Sequence, residues 1–193
     1  MLGLKLPTDP RWVNIAEKSI AEILIDHAYC EQKAASTCIS LIVSYPEKER
    51  LVEVLTPVVA EEWSHFERVL EAMKERGISL GATRTDEYVV KLNKLIRKGG
   101  NSEERFLDKL LVCALIEARS CERFKLLSEN IADEKLKKFY YELMISEAGH
   151  YVNFIDLAKA YLPEEQVKQR LQEMLEAEAE IIEQLAVRGD RMH

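Results

Sequence analysis

The 193 residues of this chain suit one domain. Its composition, 47% hydrophobic and 32% charged, is typical of a soluble helical protein. No apolar run is long enough to span a membrane and the N-terminus lacks the apolar core of a signal peptide, so no membrane partner is expected and the expected location is the cytoplasm. The net charge of −7 would repel nucleic acid if it were spread evenly along the chain.

The first half of the chain predicts two long helices joined by a short link. A helix capped by Asp9 is expected over about residues 10–44, because a Tyr-Pro pair then breaks the pattern. A second helix over about 47–76 ends at Gly77, and Pro57 predicts a kink or offset within it. Two long helices with a short link predict an antiparallel hairpin.

The second half repeats this pattern after a long connection. Residues 77–104 form the connection, here called the crossover, with a shorter helix predicted over about 85–97. Helices over about 102–129 and 133–161 predict a second antiparallel hairpin, again because the link between them is short. A Glu-rich helix over about 163–188 follows and is expected on the outside.

The order of these elements indicates the fold class. Two antiparallel hairpins joined by one long crossover are typical of a ferritin-like four-helix bundle. The sequence therefore predicts an all-α protein with a single domain over residues 1–193, a core bundle over about 10–161 and an extra C-terminal helix.

The motifs Glu62-Trp-Ser-His65 and Glu147-Ala-Gly-His150 are the most informative feature of the chain. Residues i and i+3 lie on one face of a helix, so each motif directs a carboxylate and an imidazole to the same point. A lone glutamate stands about thirty residues upstream of each motif. Two Glu-x-x-His steps, each preceded by an extra Glu, form the ligand set of a carboxylate-bridged two-metal centre in a four-helix bundle.

Helical periodicity separates these carboxylates from the other acidic residues, which number 34 in all. Glu31, Glu62 and Glu147 each occupy a position where the helical period requires an apolar core residue. The adjacent Glu61 lies off that stripe and is expected to be solvated. A bundle whose acids pair with Lys or Arg is the structural alternative, but the stripes around these three glutamates contain neither residue.

The fourth carboxylate, on the third long helix, is either Glu117 or Glu122. Local similarity between Cys30-Glu31 and Cys121-Glu122 favours Glu122. The apolar face around Glu117, and a distance from the hairpin turn that matches that of Glu147, favour Glu117. Glu122 lies five residues further along, roughly 7.5 Å along the helix axis. The prediction is therefore Glu117.

Four buried carboxylates would be costly to desolvate without counterions, and two divalent metal ions would neutralise them. Mixed carboxylate and imidazole ligands favour iron or manganese, and the lack of thiolates argues against structural zinc. The predicted metal ligands are Glu31, Glu62, His65, Glu117, Glu147 and His150.

Four further residues are lesser candidates for a functional role. His27 lies one turn before Glu31 on the same face and is predicted to be a core or supporting histidine rather than a ligand. Tyr140 and Tyr151 flank the second Glu-x-x-His motif, where packing is the simple explanation and a hydrogen bond to the site or a redox role the more specific one. His193 is terminal and is expected to be disordered.

The crossover is basic although the chain as a whole is acidic. Over residues 84–98 its five cations outnumber the two acids Asp86 and Glu87, and three of its lysines share a helix face, which suggests a surface for a phosphate-rich partner. A solvated face without a partner is the plainer explanation of the same charges. The candidate nucleic-acid contacts are Arg84, Lys91, Lys94, Arg97 and Lys98.

Five segments along the chain together point to a known family. They are Leu6–Trp12, Asp26–Ala35, Glu61–Phe66, Ile116–Phe124 and Ser146–His150. In these segments the chain resembles the tRNA 2-methylthio-N6-isopentenyladenosine hydroxylases, the MiaE family. The match covers roughly residues 6–160 in family order, and its second and fourth segments are specific to that family, whereas Glu-x-x-His alone belongs to all ferritin-like di-iron proteins.

The resemblance implies a non-haem di-iron monooxygenase with a ferritin-like fold. Such enzymes hydroxylate the isopentenyl side chain of a hypermodified adenosine beside the tRNA anticodon. It implies that the six predicted ligands bind two iron ions, that O2 supplies the oxygen atom, and that an external donor such as a ferredoxin or flavin reductase supplies two electrons. The basic crossover would contact phosphates of the anticodon arm.

Other functions fit the same ligand set. A rubrerythrin-like peroxidase usually adds a Cys-rich module that this sequence lacks, and a manganese catalase would release O2 from peroxide. An oxidase that acts on another prenylated or small substrate is a further enzymatic alternative. Iron storage is the non-enzymatic one and requires a large hollow assembly, while the sequence leaves the oligomeric state unknown.

Overall fold

The computed structural model describes residues 2–193, and within them every regular element is a helix. The lack of strands in this part of the chain confirms the predicted all-α class. Among the same residues, no helix combines the length and apolar character that a membrane crossing requires. The helices are α1 (Arg11–Lys18), α2 (Ile20–Ser44), α3 (Glu49–Lys74), α4 (Glu87–Asn93), α5 (Ser102–Asn130), α6 (Glu134–Tyr161) and α7 (Glu164–Gln184).

Two compact units make up the described chain. The first hairpin unit comprises residues 15–84 and 188–192 and contains α2 packed against α3. The second hairpin unit comprises residues 2–14, 85–187 and 193 and contains α4 to α7, with α5 packed against α6. Both predicted hairpins are therefore present, and the long crossover connects them along the chain.

Side-chain caps fix where the long helices of the second hairpin unit begin. Asn101 Oδ1 accepts a hydrogen bond from Glu104 N at 2.7 Å, and the Glu104 carboxylate accepts one from Asn101 N at 3.1 Å. This reciprocal pair satisfies two backbone donors at the start of α5. Asp133 caps α6 by accepting hydrogen bonds from Lys135 N and Leu136 N, each at 3.0 Å. The caps set where each helical period starts and hence which residues face inward.

The first predicted helix is in fact two helices. Ser19 leaves the helical conformation, with φ −120° and ψ 32°, and separates α1 from α2. Its carbonyl accepts hydrogen bonds from the backbone N–H groups of Glu22 and Ile23 and so begins α2. Periodicity does not detect the break because apolar positions continue on both sides of it. By contrast, α3 runs unbroken through Pro57.

The crossover helix is shorter than predicted. It begins after Asp86, whose side chain accepts a hydrogen bond from Val89 N at 3.0 Å, and it ends at Asn93 rather than near residue 97. Arg97 is held instead by the buried Asp108 of α5, which accepts hydrogen bonds from Arg97 N at 2.8 Å and Arg97 Nε at 2.9 Å. Because this partner lies on another helix, the local sequence does not reveal that α4 ends before Arg97.

The C-terminal residue has a defined place in the second hairpin unit. Helix α7 ends at Gln184 rather than near residue 188. His193 Nδ1 lies 2.9 Å from Asp86 Oδ2, and His193 Nε2 lies 2.9 Å from Ser120 Oγ. The expected disorder of His193 is therefore wrong, because a terminal residue becomes ordered when its polar atoms find buried partners.

Candidate metal centre

The first hairpin unit brings Glu31, Glu62 and His65 to one point. Glu31 lies on α2, and the other two residues lie one turn apart on α3. One donor atom of each lies within 4.8 Å of the others, and His65 Nδ1 is 3.4 Å from Glu31 Oε2 and 3.8 Å from Glu62 Oε2. All three residues are buried. This group of two carboxylates and one imidazole is called the first half-site.

A second histidine supports the first half-site. His27 Nε2 lies 2.6 Å from Glu31 Oε1, one turn away on the same helix. Burial by itself would raise the pKa of Glu31, but hydrogen bonds with His27 and His65 hold that pKa well below its usual range. Burial would lower the pKa of His65, whereas hydrogen bonds and charge from Glu31 and Glu62 raise it to about 9. The surroundings thus favour an ionised Glu31, which is the form that binds a cation.

The second hairpin unit groups Glu117, Glu147 and His150 in the same way. Glu117 lies on α5, and the other two residues lie one turn apart on α6. One donor atom of each lies within 4.8 Å of the others, and His150 Nδ1 is 3.9 Å from Glu147 Oε2. These residues are also buried. This second half-site repeats the composition of the first, with a lone glutamate on one helix and a Glu-x-x-His step on the next.

Glu122, the rival of Glu117 in the sequence, has a different set of partners. Its carboxylate accepts hydrogen bonds from Thr8 Oγ1 at 2.7 Å and Thr8 N at 3.2 Å. It also forms an ion pair with Arg119, one turn before it on α5. Since Glu122 is engaged with the N-terminal segment while Glu117 lies beside Glu147, the geometry favours Glu117 as the fourth carboxylate.

A buried ion pair that the sequence does not reveal holds α5 to α7. Arg119 Nη2 lies 2.6 Å from Glu178 Oε1, and both side chains are fully buried. The hydroxyl of Tyr88 donates a hydrogen bond to the same carboxylate oxygen at 3.1 Å, which joins α4 to the pair. Arg119 and Glu178 are 59 residues apart, so no local pattern marks them as partners. The pair fixes the segment of α5 that carries Glu117.

The tyrosines near the second Glu-x-x-His motif differ in their surroundings. Tyr140 is fully buried and packs against Phe124 and Phe139, with ring centroids 5.5 Å and 5.3 Å apart. Tyr151 is half-buried, and burial raises the pKa of its hydroxyl. The aromatic contacts of Tyr140 agree with the simple explanation from the sequence, which is packing.

The five basic residues predicted to contact nucleic acid differ in exposure and in ion pairing. Lys94 and Lys98 are exposed, and Lys91 is partly exposed. Arg97 forms ion pairs with Glu104 at 3.1 Å and with Asp108 at 2.9 Å, which hold it against α5. The last of the five, Arg84, belongs to the first hairpin unit and forms an ion pair with Glu22.

The donor atoms of both half-sites suit a metal ion of one kind. Each half-site offers two carboxylates and one imidazole, a mixture that favours Fe2+ or Mn2+ over a structural zinc ion. A bound cation would also balance the cost of burying two carboxylates so close together. The residues therefore fit a metal cofactor by their chemistry as well as by their spacing.

Comparisons with known proteins match the chain to one family. The family model described as tRNA-(MS[2]IO[6]A)-hydroxylase (MiaE) matches residues 2–193. A relative from Pseudomonas putida, named tRNA 2-(methylsulfanyl)-N(6)-isopentenyladenosine(37) hydroxylase, is 38% identical over 180 residues, which cover 93% of this chain and 86% of the relative. A protein of the same name from Salmonella typhimurium is 28% identical over 228 residues, with coverage of 93% and 83%.

A solved structure confirms the fold class. It is described as Protein 43 with aldehyde deformylating oxygenase activity from Synechococcus, and it matches with a TM-score of 0.93 and 39% sequence identity. The match covers 98% of this chain and 94% of that one, and the neighbour is ferritin-like, as predicted for this chain. Because a family model matches nearly every residue and a curated relative is 38% identical, this chain belongs to the MiaE family.

Proposed function

We propose that the chain is a di-iron monooxygenase that hydroxylates the isopentenyl group of 2-methylthio-N6-isopentenyladenosine in tRNA. The observation that carries the proposal is the pair of buried half-sites in a member of a family whose relatives are named for this reaction. The reaction consumes O2, two electrons and two protons. One oxygen atom enters a C–H bond of the prenyl group, and the other leaves as water.

In this proposal the half-sites bind two iron ions. Iron bound by carboxylates and imidazoles would carry out the chemistry with O2, which side chains alone cannot perform. The chain holds Glu31 ionised, orients the carboxylates and keeps bulk water away from them. His27 acts as a positioning residue, because its 2.6 Å contact restrains the Glu31 carboxylate. The proposed ligands are Glu31, Glu62, His65, Glu117, Glu147 and His150.

A tRNA substrate also needs a surface that binds phosphate. Lys91, Lys94 and Lys98 lie on and just after α4, and they provide exposed or partly exposed ammonium groups. We assign them to the phosphates of the anticodon arm, in contacts that position the RNA without reading its sequence. Arg84 and Arg97 contribute less, because acidic neighbours already neutralise both. A cytoplasmic ferredoxin or flavin reductase would supply the electrons.

The structural relative favours a second candidate activity. Its description names aldehyde deformylating oxygenase activity, and it shares 39% of its sequence with this chain. A reaction of that kind would use the same metal ligands and O2 but an apolar aldehyde in place of RNA. The lysines of the crossover would then have no role in substrate binding.

Single-turnover reactions of the iron-loaded, chemically reduced protein with O2 distinguish the two candidates. In one series the substrate is isopentenylated tRNA, which is then digested so that its nucleosides can be analysed by mass spectrometry. In a parallel series the substrate is a long-chain aldehyde. A gain of one oxygen on the prenyl adenosine, absent in Glu117→Gln and retained in Glu122→Gln, would support the hydroxylase. Loss of the formyl carbon from the aldehyde, with unchanged tRNA, would support the second candidate. No product from either substrate, with two irons bound, would overturn both.

A further inference from the structure

The outward face of α6 carries an exposed stripe. Six of its seven positions, from Lys138 to Asp156, recur at alternating steps of four and three residues, and Tyr141 lies beside the second of them. This is the spacing of a helix face that packs along another helix. Tyr141, Ile145 and Val152 on this face are 55%, 56% and 48% exposed. Large apolar side chains that follow one another along a surface mark an interaction site more often than chance exposure. The α6 stripe is defined by Lys138, Tyr141, Glu142, Ile145, Gly149, Val152 and Asp156.

We propose that the α6 stripe binds the α6 stripe of a second copy of this chain, as an antiparallel helix pair with two-fold symmetry. A two-fold axis that crosses α6 near Glu147 pairs each position with the one equally far on the other side of the axis. Ile145 then lies opposite the partner's Gly149, and Lys138 lies opposite the partner's Asp156. Both contacts occur twice because of the symmetry.

The central contact is complementary in size. A Cβ atom built on Gly149 would have no neighbour within 4 Å, so the helix surface there is open and shallow. The branched side chain of Ile145 protrudes from the same face and is the size of group that fills such a depression. A glycine at a helix contact also lets the two backbones approach closely, which increases the apolar area that the contact buries.

The ends of the stripe are complementary in charge. Lys138 and Asp156 are both exposed, and neither forms an ion pair with any residue of the described chain. The neighbouring Lys137, by contrast, pairs with Glu134 at 2.8 Å. Two opposite charges that lack partners within one copy and lie equally far from the proposed axis favour a second copy over an unrelated protein as the occupant.

The charges also limit the register of the pair. Shifting the register by one turn toward the C-terminus would bring Glu142 opposite the partner's Asp156, which is unfavourable because like charges repel. With the axis near Glu147, Lys159 faces the partner's Lys135, so the contact ends at the two ion pairs. These lie roughly 27 Å apart along the helix at about 1.5 Å per residue. One helix pair of this length predicts a dimer with a Kd on the order of micromolar.

Analytical ultracentrifugation of the full chain tests the proposal. Between about 1 and 200 µM the mass should rise from 22.2 kDa toward twice that value. Lys138→Glu and Asp156→Lys should each raise the dimer Kd about tenfold or more, since each substitution places like charges at both ends of the pair. An equimolar mixture of the two variants should associate again, because a Lys138→Glu chain facing an Asp156→Lys chain restores opposite charges at both ends.

Further variants separate loss of the interface from loss of the fold. Gly149→Leu should abolish association by blocking Ile145, while Glu183→Lys, an exposed charge reversal on α7, should leave it unchanged. Thermal denaturation monitors the fold of each variant. A chain that stays monomeric up to the highest concentration overturns the proposal and assigns the stripe to a different protein. A mixture of the two charge variants that fails to associate overturns the two-fold arrangement.

Discussion

Arg119 and Glu178 form a fully buried ion pair in the second hairpin unit, with guanidinium Nη2 2.6 Å from carboxylate Oε1. Arg119 also pairs with Glu122, and Glu178 accepts a hydrogen bond from Tyr88. A buried pair of this kind adds little stability over well-packed apolar residues, but removing one partner leaves the other charge buried with weaker compensation. Arg119 lies on α5 two residues after Glu117, so the ion pair links the stability of that helix to the placement of Glu117.

Glu178→Leu should destabilise the protein by about 3 kcal/mol, because it leaves the Arg119 guanidinium buried with one partner fewer. The double variant Arg119→Met/Glu178→Leu should recover part of this loss, since both charges of the pair are then absent while Glu122 keeps its hydrogen bonds from Thr8. Urea denaturation measures the free energies of unfolding, with Glu180→Leu at an exposed position of α7 as control. A double variant less stable than Glu178→Leu would contradict this account of the pair.

Substitutions of Glu117 and Glu122 should have separable effects. Glu117→Ala removes a donor from the second half-site, and its iron content should fall from two ions toward about one ion per chain. Glu122→Ala should keep both ions but lose about 1–3 kcal/mol of stability, because it leaves the buried Thr8 donors without their acceptor and Arg119 with one acceptor fewer. Iron analysis after anaerobic loading and desalting, together with urea denaturation, checks both. Iron loss in a stably folded Glu122→Ala would transfer the ligand role to Glu122.

The buried Asp108 should make stability depend on pH in the acid range. Burial would raise the pKa of its carboxyl group, but hydrogen bonds from Arg170 and Arg97 hold that pKa below its usual value. Its contribution is therefore complete above the pKa of the unfolded chain, near about 4, and decreases as pH falls through the lower value of the folded state.

Asp108→Asn should accordingly be less stable than the parent by about 1–3 kcal/mol at neutral pH. The difference should narrow below about pH 4, where the parent carboxyl becomes protonated on unfolding. Urea denaturation at several pH values between neutral and acid provides the comparison. A difference that stays constant over this range would show that the carboxylate charge is not what stabilises the crossover.

The double variant Lys94→Glu/Lys98→Glu should weaken tRNA binding about equally for all tRNA sequences, because the proposed contacts are to phosphates. The slope of log affinity against log salt concentration should fall by about one for each lysine–phosphate ion pair that the substitutions remove. Fluorescence anisotropy at several salt concentrations measures both quantities. Lys125→Glu/Lys168→Glu changes the net charge by the same amount outside the crossover and is the matched control. Equal binding by the two double variants would remove the crossover from the RNA surface.

Local chemistry explains why so much of the fold was predictable. The α5–α6 hairpin follows from helical periodicity, the Asn101 and Asp133 caps and the short link, all of which lie in neighbouring residues. The spacing of Glu147 and His150 fixes a shared helix face in the same local way. Ser19 shows the limit of such reasoning, since a break of one residue leaves the apolar pattern intact.

By itself, the sequence determined the all-α class, the two hairpins, the crossover and the pairing of carboxylate with imidazole one turn apart, because each depends on helical period and on neighbours along the chain. Only the tertiary structure decided which partner Glu122 takes, what holds Arg97, and that His193 is ordered. Each of those outcomes depends on a charge or polar atom that is buried against a residue far away in sequence. Burial makes such partners obligatory, and only the folded chain brings them within hydrogen-bonding distance.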